Sequence, residues 1–251
     1  MPRIKDQAVC IRRFDWSETS QVVSLLTRDH GKVRGLAKGS KRTSPGAVAR
    51  FSGGIDLLTR GQIVAVIRPS AELATLTEWD LQDPYPHLRR NLSAQRIAMY
   101  GADLANALLA DHDTHPNSHD ALTTLLTELA EAKQHNSALL RFQWTLLDDG
   151  GYRPHLDQDA ATGQALTDQS TYCFDALAGG ITGLTSRGTK HAGPWAVRRE
   201  TVQALRSVAN DLSDSNAATE TTLRRANRLL CVYARAILDR HLPTMDFLLD
   251  G

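Results

Sequence analysis

The sequence predicts an α+β fold, with a small β-barrel or sandwich in about the first 80 residues and a mostly α-helical remainder. Short runs rich in β-branched residues, separated by closely spaced turns, fill the N-terminal part. Pro84-Tyr85-Pro86 interrupts this pattern, and apolar residues then recur at helical spacing. The 251 residues suffice for one large domain or two smaller ones.

The strands are predicted from alternation or from short apolar runs. The run QVVSLLT at residues 21–27 is typical of a buried strand, and residues 32–38 follow a turn at Gly31 and would pair back onto it. The predicted strands cover residues 3–13, 21–27, 32–38, 55–59, 62–67 and 73–79.

The second part of the chain alternates helices with one irregular stretch. The predicted helices cover residues 87–110, 118–134, 137–149, 194–212 and 219–241, and Pro194 suits the first turn of the fourth. Within the irregular stretch, residues 172–174 and 181 are expected to form short strands beside a turn at Gly179-Gly180. We therefore place domains at residues 1–80 and 84–251, with an insert at about 152–193.

Charge is distributed unevenly along the chain. The net charge is only +1, but residues 1–42 hold ten Lys or Arg and four acids, which gives +6, and the rest carries −5. Such asymmetry is a hint of contact with nucleic acid or with a membrane surface.

The three cysteines lie far apart and form neither a disulfide framework nor a CxxC pair, which predicts a reducing compartment. The first residues show no apolar core typical of a signal peptide, and no apolar run reaches the length of a membrane span. The sequence therefore predicts a cytoplasmic protein that does not enter a membrane.

A basic stretch at residues 28–50 carries seven cations against the single acid Asp29. A strand that delivers cations into a basic loop at residues 40–46 suits a polyanion with a phosphate repeat. The alternative is a solvated strand and a loop whose lysines serve solubility. Phe14 and Trp16, beside Arg12 and Arg13, suit stacking on exposed bases, and burial of one of them is an equally good interpretation.

Motifs for catalysis are missing from the sequence. GLAKGSK at residues 35–41 is too short for a P-loop, and neither HExxH nor GxSxG occurs. The sequence therefore predicts a protein that is not an enzyme and needs no cofactor.

The segment SETSQVVSLLTRDHGKVRGLAKGSKR, at residues 17–42, resembles the N-terminal signature of the bacterial recombination mediator family RecO. That signature joins a hydroxyl-rich turn, a strand, an HGK turn and a second strand that ends in AKG and basic residues. LLDDGGYRPHL at residues 146–156 is similar to the family's approach to a zinc-ribbon-like insert, and DALAGGITG resembles the return from it.

The resemblance implies an N-terminal five-stranded OB-fold barrel and a helical C-terminal domain. It also implies DNA repair and recombination in the RecF pathway: binding of single- and double-stranded DNA, annealing of complementary strands, and loading of recombinase together with RecR. The strands involved would be coated with single-strand-binding protein. The acidic, apolar C-terminal tail of that protein is an expected partner of the helical domain. Apolar residues flanked by Arg224, Arg225 and Arg228 are compatible with such a peptide, and core packing explains those apolar residues equally well. A nucleoid-associated location follows.

The insert departs from the family pattern. Many members carry two CxxC pairs there, but the corresponding positions here are Asp159 and Thr162, and about Gly183 and Ser186. We therefore expect no structural zinc.

The predicted phosphate contacts are Lys5, Arg12, Arg13, Lys32, Arg34, Lys38, Lys41 and Arg42. The alternative function is a non-enzymatic adaptor whose basic barrel binds an acidic protein partner.

Overall fold

The computed structural model describes residues 3–68, 71–183, 194–211 and 218–249. The chain divides into two compact units, Met1–Ala130 and Glu131–Gly251. The first unit thus extends beyond the predicted division at residues 80–84, because two helices that follow the barrel pack against it.

Five strands form the sheet of the first unit: β1 (Arg3–Asp15), β2 (Gln21–Thr27), β3 (Lys32–Ala37), β4 (Arg60–Val66) and β5 (Ala74–Asp83). They pair in the order β1-β2-β3-β5-β4, and β4 pairs again with β1. All pairs are antiparallel except β3 with β5. This circuit is the arrangement that the predicted OB fold requires, and the predicted α+β class is confirmed.

The barrel core follows from the alternation of side chains along each strand. Ile4, Ala8 and Cys10 of β1 point inward, where they meet Val23 and Leu25 of β2 in one apolar cluster. A β-bulge between residues 10 and 12 then shifts the register of β1. Because a bulge inserts one unpaired residue, the even-numbered residues of β1 face inward before it and outward after it.

Two local predictions in this unit were wrong. Residues 55–59 form a turn rather than a strand, and β4 begins at Arg60. The loop predicted at residues 40–46 runs into a short helix, α1 (Pro45–Phe51), whose proline occupies the first helical turn and whose Phe51 is buried in the barrel core.

A 3₁₀ turn at Pro86–Arg89 and two helices, α2 (Leu92–Leu108) and α3 (Pro116–Glu128), complete the first unit. Both helices contact β1 and β2, and Val9 and Leu26 on the outside of these strands are completely buried. One end of the outer sheet surface is therefore covered by helices, and the other end remains available to a ligand.

The second unit contains α4 (His135–Asp149), α5 (Arg199–Asn210), α6 (Glu220–Leu238) and the short α7 (Asp246–Leu249). A 3₁₀ turn at Pro243–Met245 precedes α7. Buried amides join two of these helices: Gln143 of α4 donates to Asn227 of α6 at 2.8 Å, and Asn227 donates to the carbonyl of Asn136 at 2.9 Å. Because both amides are fully buried, these bonds fix how α4 and α6 align.

A small sheet in the second unit is formed by β6 (Thr171–Asp175), β7 (Gly180–Thr182) and β8 (Trp195–Arg198), in the order β7-β6-β8. The two short strands predicted beside Gly179-Gly180 correspond to β6 and β7. The helix predicted from Pro194 was wrong at its start, because residues 195–198 pair with β6 and α5 begins only at Arg199.

Asp159 organises the described part of the insert. Its carboxylate accepts hydrogen bonds from the backbone N–H groups of Ala161 and Thr162 at 2.9 Å and of Gly183 at 2.6 Å. These bonds lower the pKa of Asp159, and the bond from Gly183 has the largest effect. The Asp159 carboxylate thus binds the backbone of Thr162 and Gly183. These three residues stand at or beside positions where the resemblance places zinc ligands in many family members. Ser186, the fourth such position, lies outside the described residues.

Three further features are stated only for the part of the chain that the structure describes. No group of three or more His, Cys, Asp or Glu side chains there is arranged to hold a metal ion. None of its helices is both long and apolar enough to cross a lipid bilayer. Cys10, Cys173 and Cys231 are all buried there, and none of the three forms a disulfide bond.

Candidate nucleic-acid interface

The uncovered end of the sheet presents two rows of side chains across β1, β2 and β3. In the first row, Ser24 of β2 lies directly opposite Arg12 of β1 on one side and Arg34 of β3 on the other. Residues that pair in this way share one face of the sheet. Since neighbouring strands lie about 5 Å apart, the two arginine Cα atoms are separated by roughly 10 Å.

The second row is apolar. Val22 of β2 lies opposite Phe14 of β1 and Leu36 of β3. Phe14 is 51% exposed, and the Arg12 guanidinium lies 4.8 Å from the centre of its ring. We call these six residues, Arg12, Phe14, Val22, Ser24, Arg34 and Leu36, the outer face. It combines cations with an exposed aromatic ring, which suits a polyanion that carries flat bases.

The turn at residues 38–42, which we call the basic turn, continues from β3 beside the outer face. Hydrogen bonds from the β1–β2 hairpin hold it: the Gly39 N–H donates to Ser20 Oγ at 3.1 Å, and the Lys41 N–H donates to the Thr19 carbonyl at 3.0 Å. Gly39 has φ of +72°, a conformation that favours glycine. The basic turn is therefore an ordered surface, with Lys38, Lys41 and Arg42 exposed.

The buried side-chain amide of Gln21 also holds the basic turn in place. Gln21 Oε1 accepts hydrogen bonds from Ser40 Oγ at 2.9 Å and from the Ile55 N–H at 3.0 Å, and Gln21 Nε2 donates to the Ile55 carbonyl at 3.1 Å. Gln21 and Ser40 are 2% and 0% exposed. The hydroxyl- and amide-rich segment at residues 17–21 thus positions the basic turn.

Acidic partners divide the predicted phosphate contacts into two groups. Arg13 forms an ion pair with Asp56 at 2.6 Å, and Lys41 forms one with Asp15 at 3.1 Å. Within the described residues, no ion pair involves the other predicted cations that lie on or beside the outer face. These are Arg12, Arg34, Lys38 and Arg42. Arg13 also follows Arg12 directly, so it points to the opposite side of β1.

Two predicted contacts lie elsewhere. Lys5 is exposed on β1, roughly 20 Å along the strand from Arg12, and Val9 between them is covered by helices. Lys32 is only 8% exposed, and its ammonium group donates to the carbonyls of Asn106 at 2.8 Å and Leu109 at 2.7 Å. Because its donors are used on backbone carbonyls, Lys32 is suited to holding the end of α2 and not to holding a phosphate.

The sequence left open whether Phe14 or Trp16 is buried. Both are exposed, Phe14 at 51% and Trp16 at 68%. Sequence reasoning missed three members of the outer face, namely Val22, Ser24 and Leu36. The alternation of β2 could have placed Val22 and Ser24 together, but their partners depend on strand register, which the β-bulge in β1 alters.

Two models of known protein families match this chain. The model described as the N terminal of recombination protein O matches residues 1–85, and the model described as its C terminal matches residues 89–246. The chain belongs to the recombination protein O family.

Curated relatives match along most of the chain. The DNA repair protein RecO of Anaeromyxobacter sp. (strain Fw109-5) is 27% identical over 248 residues, which cover 98% of this chain and 95% of the relative. That of Myxococcus xanthus (strain DK1622) is 27% identical and covers 99% and 98%. That of Geobacter sulfurreducens (strain ATCC 51573 / DSM 12127 / PCA) is 32% identical over 163 residues and covers 65% of each chain.

The second unit of this recombination protein O family member has a cavity of about 320 Å³ between β8, the start of α5, and α6. Its apolar lining includes Trp195, Val197, Leu229 and Val232. Its basic lining consists of Arg198, Arg225 and Arg228. None of the described residues that line it is acidic. The cavity therefore combines an apolar interior with positive charge.

Proposed function

We propose that this chain is a non-enzymatic mediator of DNA repair and homologous recombination. It binds single- and double-stranded DNA through the outer face and the basic turn, and it anneals complementary strands. Together with RecR it helps to load recombinase onto strands coated with single-strand-binding protein, in the cytoplasm at the nucleoid. Membership in the recombination protein O family supports the repair role. One observation supports the DNA surface: four cations without described acidic partners gather on one side of the first unit.

The cations suit phosphate recognition without base reading. Arg12 and Arg34 stand on either side of Ser24, and Lys38 and Arg42 extend the positive surface along the basic turn. Lys41 joins them if DNA displaces it from Asp15, which is an exposed pair of little intrinsic strength. Lys5, Arg13 and Lys32 are left out of the proposed surface because of their positions and partners.

Salt dependence tests this proposal. With four or five phosphates neutralised, single-strand affinity should fall roughly 50- to 130-fold between about 50 and 200 mM salt. Arg12→Ala with Arg34→Ala should weaken binding to all DNA sequences alike and make the logarithmic salt slope shallower by roughly 1.4. Arg3→Ala is the matched control, since Arg3 is exposed and paired with Glu78 at 2.9 Å. A binding constant that does not change with salt would contradict the proposal.

The same measurement separates DNA binding from the adaptor alternative. If the outer face serves an acidic protein, the double variant should bind DNA as the wild type does. Gel shifts with single- and double-stranded DNA at the two salt concentrations decide between the two functions.

We further propose that the cavity of the second unit receives the C-terminal tail of single-strand-binding protein. That tail is acidic and apolar, so it matches three arginines around an apolar interior. Trp195 is held in place by stacking on Phe174, with ring centroids 6.2 Å apart. The Trp195 side of the cavity is thus held by packing, which lowers the entropic cost of binding a peptide there.

Fluorescence anisotropy with a labelled tail peptide tests this site. Arg225→Ala with Arg228→Ala should lower peptide affinity, and added salt should reduce the difference because the contacts are electrostatic. Arg224→Ala is the matched control: Arg224 is on the same helix, outside the cavity lining, and is paired with Glu220 at 3.5 Å. Equal affinities of the double variant and the control would refute the proposal.

A further inference from the structure

Phe14 and Trp16 differ from the other aromatic residues of the first unit. Phe51, Trp79, Tyr85 and Tyr100 are each at most 2% exposed, whereas Phe14 and Trp16 are 51% and 68% exposed. Exposing a large aromatic ring forgoes the stabilisation that its burial would give. Two such rings, two positions apart at one end of β1, therefore suggest a ligand.

The surroundings of these rings identify the chemistry of that ligand. Phe14 pairs with Val22 in the apolar row, and Arg12 covers part of its ring from the neighbouring row. Trp16 begins the β1–β2 hairpin turn, where its N–H donates to the Ser20 carbonyl at 3.0 Å. Loops and strand surfaces at this end of OB folds are suited to oligonucleotides.

We infer that Phe14 and Trp16 form a base-stacking subsite, so that the outer face prefers single-stranded DNA to duplex. This inference rests on the proposed DNA-binding function and adds the strand preference. The arginines contact phosphates, which both forms of DNA offer. The aromatic rings contact base faces, which only unpaired and unstacked nucleotides offer.

The order of the rows supports this division. Arg12 and Arg34 lie in one row, and Phe14 lies in the next, one step along the sheet. A strand that crosses β1 to β3 would therefore meet cations along one edge of its path, and along the other an apolar surface with the Phe14 ring at its β1 end. Trp16 lies beyond Phe14 in the same direction along β1, so it extends the aromatic edge.

The turn that carries Trp16 is ordered. Ser17 Oγ accepts hydrogen bonds from the N–H groups of Thr19 at 3.3 Å and Ser20 at 3.1 Å. These bonds close the hairpin turn beside Trp16 and limit the positions that its backbone adopts. An aromatic ring on an ordered turn loses less conformational entropy on stacking than one on a flexible loop.

An abasic oligonucleotide provides the decisive probe, because it keeps the phosphates and lacks the bases. Affinities are measured for an oligothymidylate, an abasic strand of the same length, and a duplex. The wild type should bind the oligothymidylate roughly 5- to 100-fold more tightly than the abasic strand. Phe14→Ala with Trp16→Ala should remove this difference, and it should weaken duplex binding less than it weakens oligothymidylate binding.

Control variants separate stacking from folding and from charge. Phe14→Trp should keep the preference for the oligothymidylate, because it retains a ring. Tyr152→Ala, which removes an aromatic residue that is 40% exposed in the other unit, should behave as the wild type. Arg12→Ala with Arg34→Ala should weaken binding to all three probes. Trp16 fluorescence provides a second measurement: quenching by the oligothymidylate should exceed that in Trp16→Phe.

Three outcomes would overturn the inference. If the wild type binds the abasic strand and the oligothymidylate equally, the bases make no contact, although phosphate binding stands. If the aromatic double variant binds all probes as the wild type does, the rings serve another purpose. If the wild type binds none of the probes, both the stacking subsite and the proposed DNA-binding function fail.

Discussion

Replacing Lys32 by methionine separates the role that the structure indicates from the one that its sequence context predicts. The Lys32 ammonium donates to the carbonyls of Asn106 and Leu109 and pairs with Asp111 at 3.2 Å. The Asn106 carbonyl lies in the last turn of α2 and the Leu109 carbonyl on the residue that follows the helix, and no intrahelical donor remains for either. Lys32→Met should therefore destabilise the first unit and leave the DNA affinity of the folded protein unchanged.

The magnitude follows from the groups left behind. Each buried carbonyl without a donor costs about 1–3 kcal/mol, and the lost charge at a helix C-terminus costs about 0.3–1 kcal/mol. The Lys32 side chain is 10% exposed, so water reaches part of the site and the lower values apply. Removing a buried charge also relieves its desolvation. We expect the free energy of unfolding to fall by about 2–3 kcal/mol.

Urea denaturation followed by circular dichroism measures the first effect, and anisotropy with labelled DNA in native buffer measures the second. Lys38→Met is the matched control, since Lys38 is exposed one residue beyond β3. It should change the free energy of unfolding by less than about 0.5 kcal/mol and should weaken DNA binding. If Lys32→Met weakened DNA binding at unchanged stability, the assignment of Lys32 to the end of α2 would be wrong.

Two further predictions concern groups buried or bonded within single units. Burial raises the pKa of Cys10 to about 12, and it also raises that of Cys173. Cys173 is 8% exposed and Cys10 is fully buried, so a thiol reagent should modify Cys173 before Cys10. Fast labelling of Cys10 in the folded protein would contradict its burial. The pKa of Asp159 lies below its ordinary 3.8, chiefly because its carboxylate accepts a hydrogen bond from the Gly183 N–H. The stabilisation from these bonds is therefore present above pH 3.8 and is lost as the pH falls through the lowered pKa. Asp159→Ala should speed amide hydrogen exchange at Gly183 at neutral pH, whereas Asp157→Ala should not, and equal exchange rates in both variants would count against the carboxylate's role.

Local pattern was sufficient for much of the fold. The apolar run of β2 and the alternation of β3 predicted both strands to within one residue, because one buried face demands that alternation. Arg12, Arg34 and Lys38, which the sequence predicts as phosphate contacts, are all exposed. Charge spacing and strand period are local properties, so the sequence by itself determined that the first unit has a strand surface rich in cations.

Only the tertiary structure decided which of those cations act together. Lys32 and Arg34 share a strand, yet α2 covers the first and leaves the second exposed, because the helix ends where Lys32 meets its carbonyls. Arg13 differs from Arg12 through Asp56, which lies 43 positions away in sequence. Long-range packing and ion pairing select partners by proximity in space, and neither the spacing of charges nor their number contains that information.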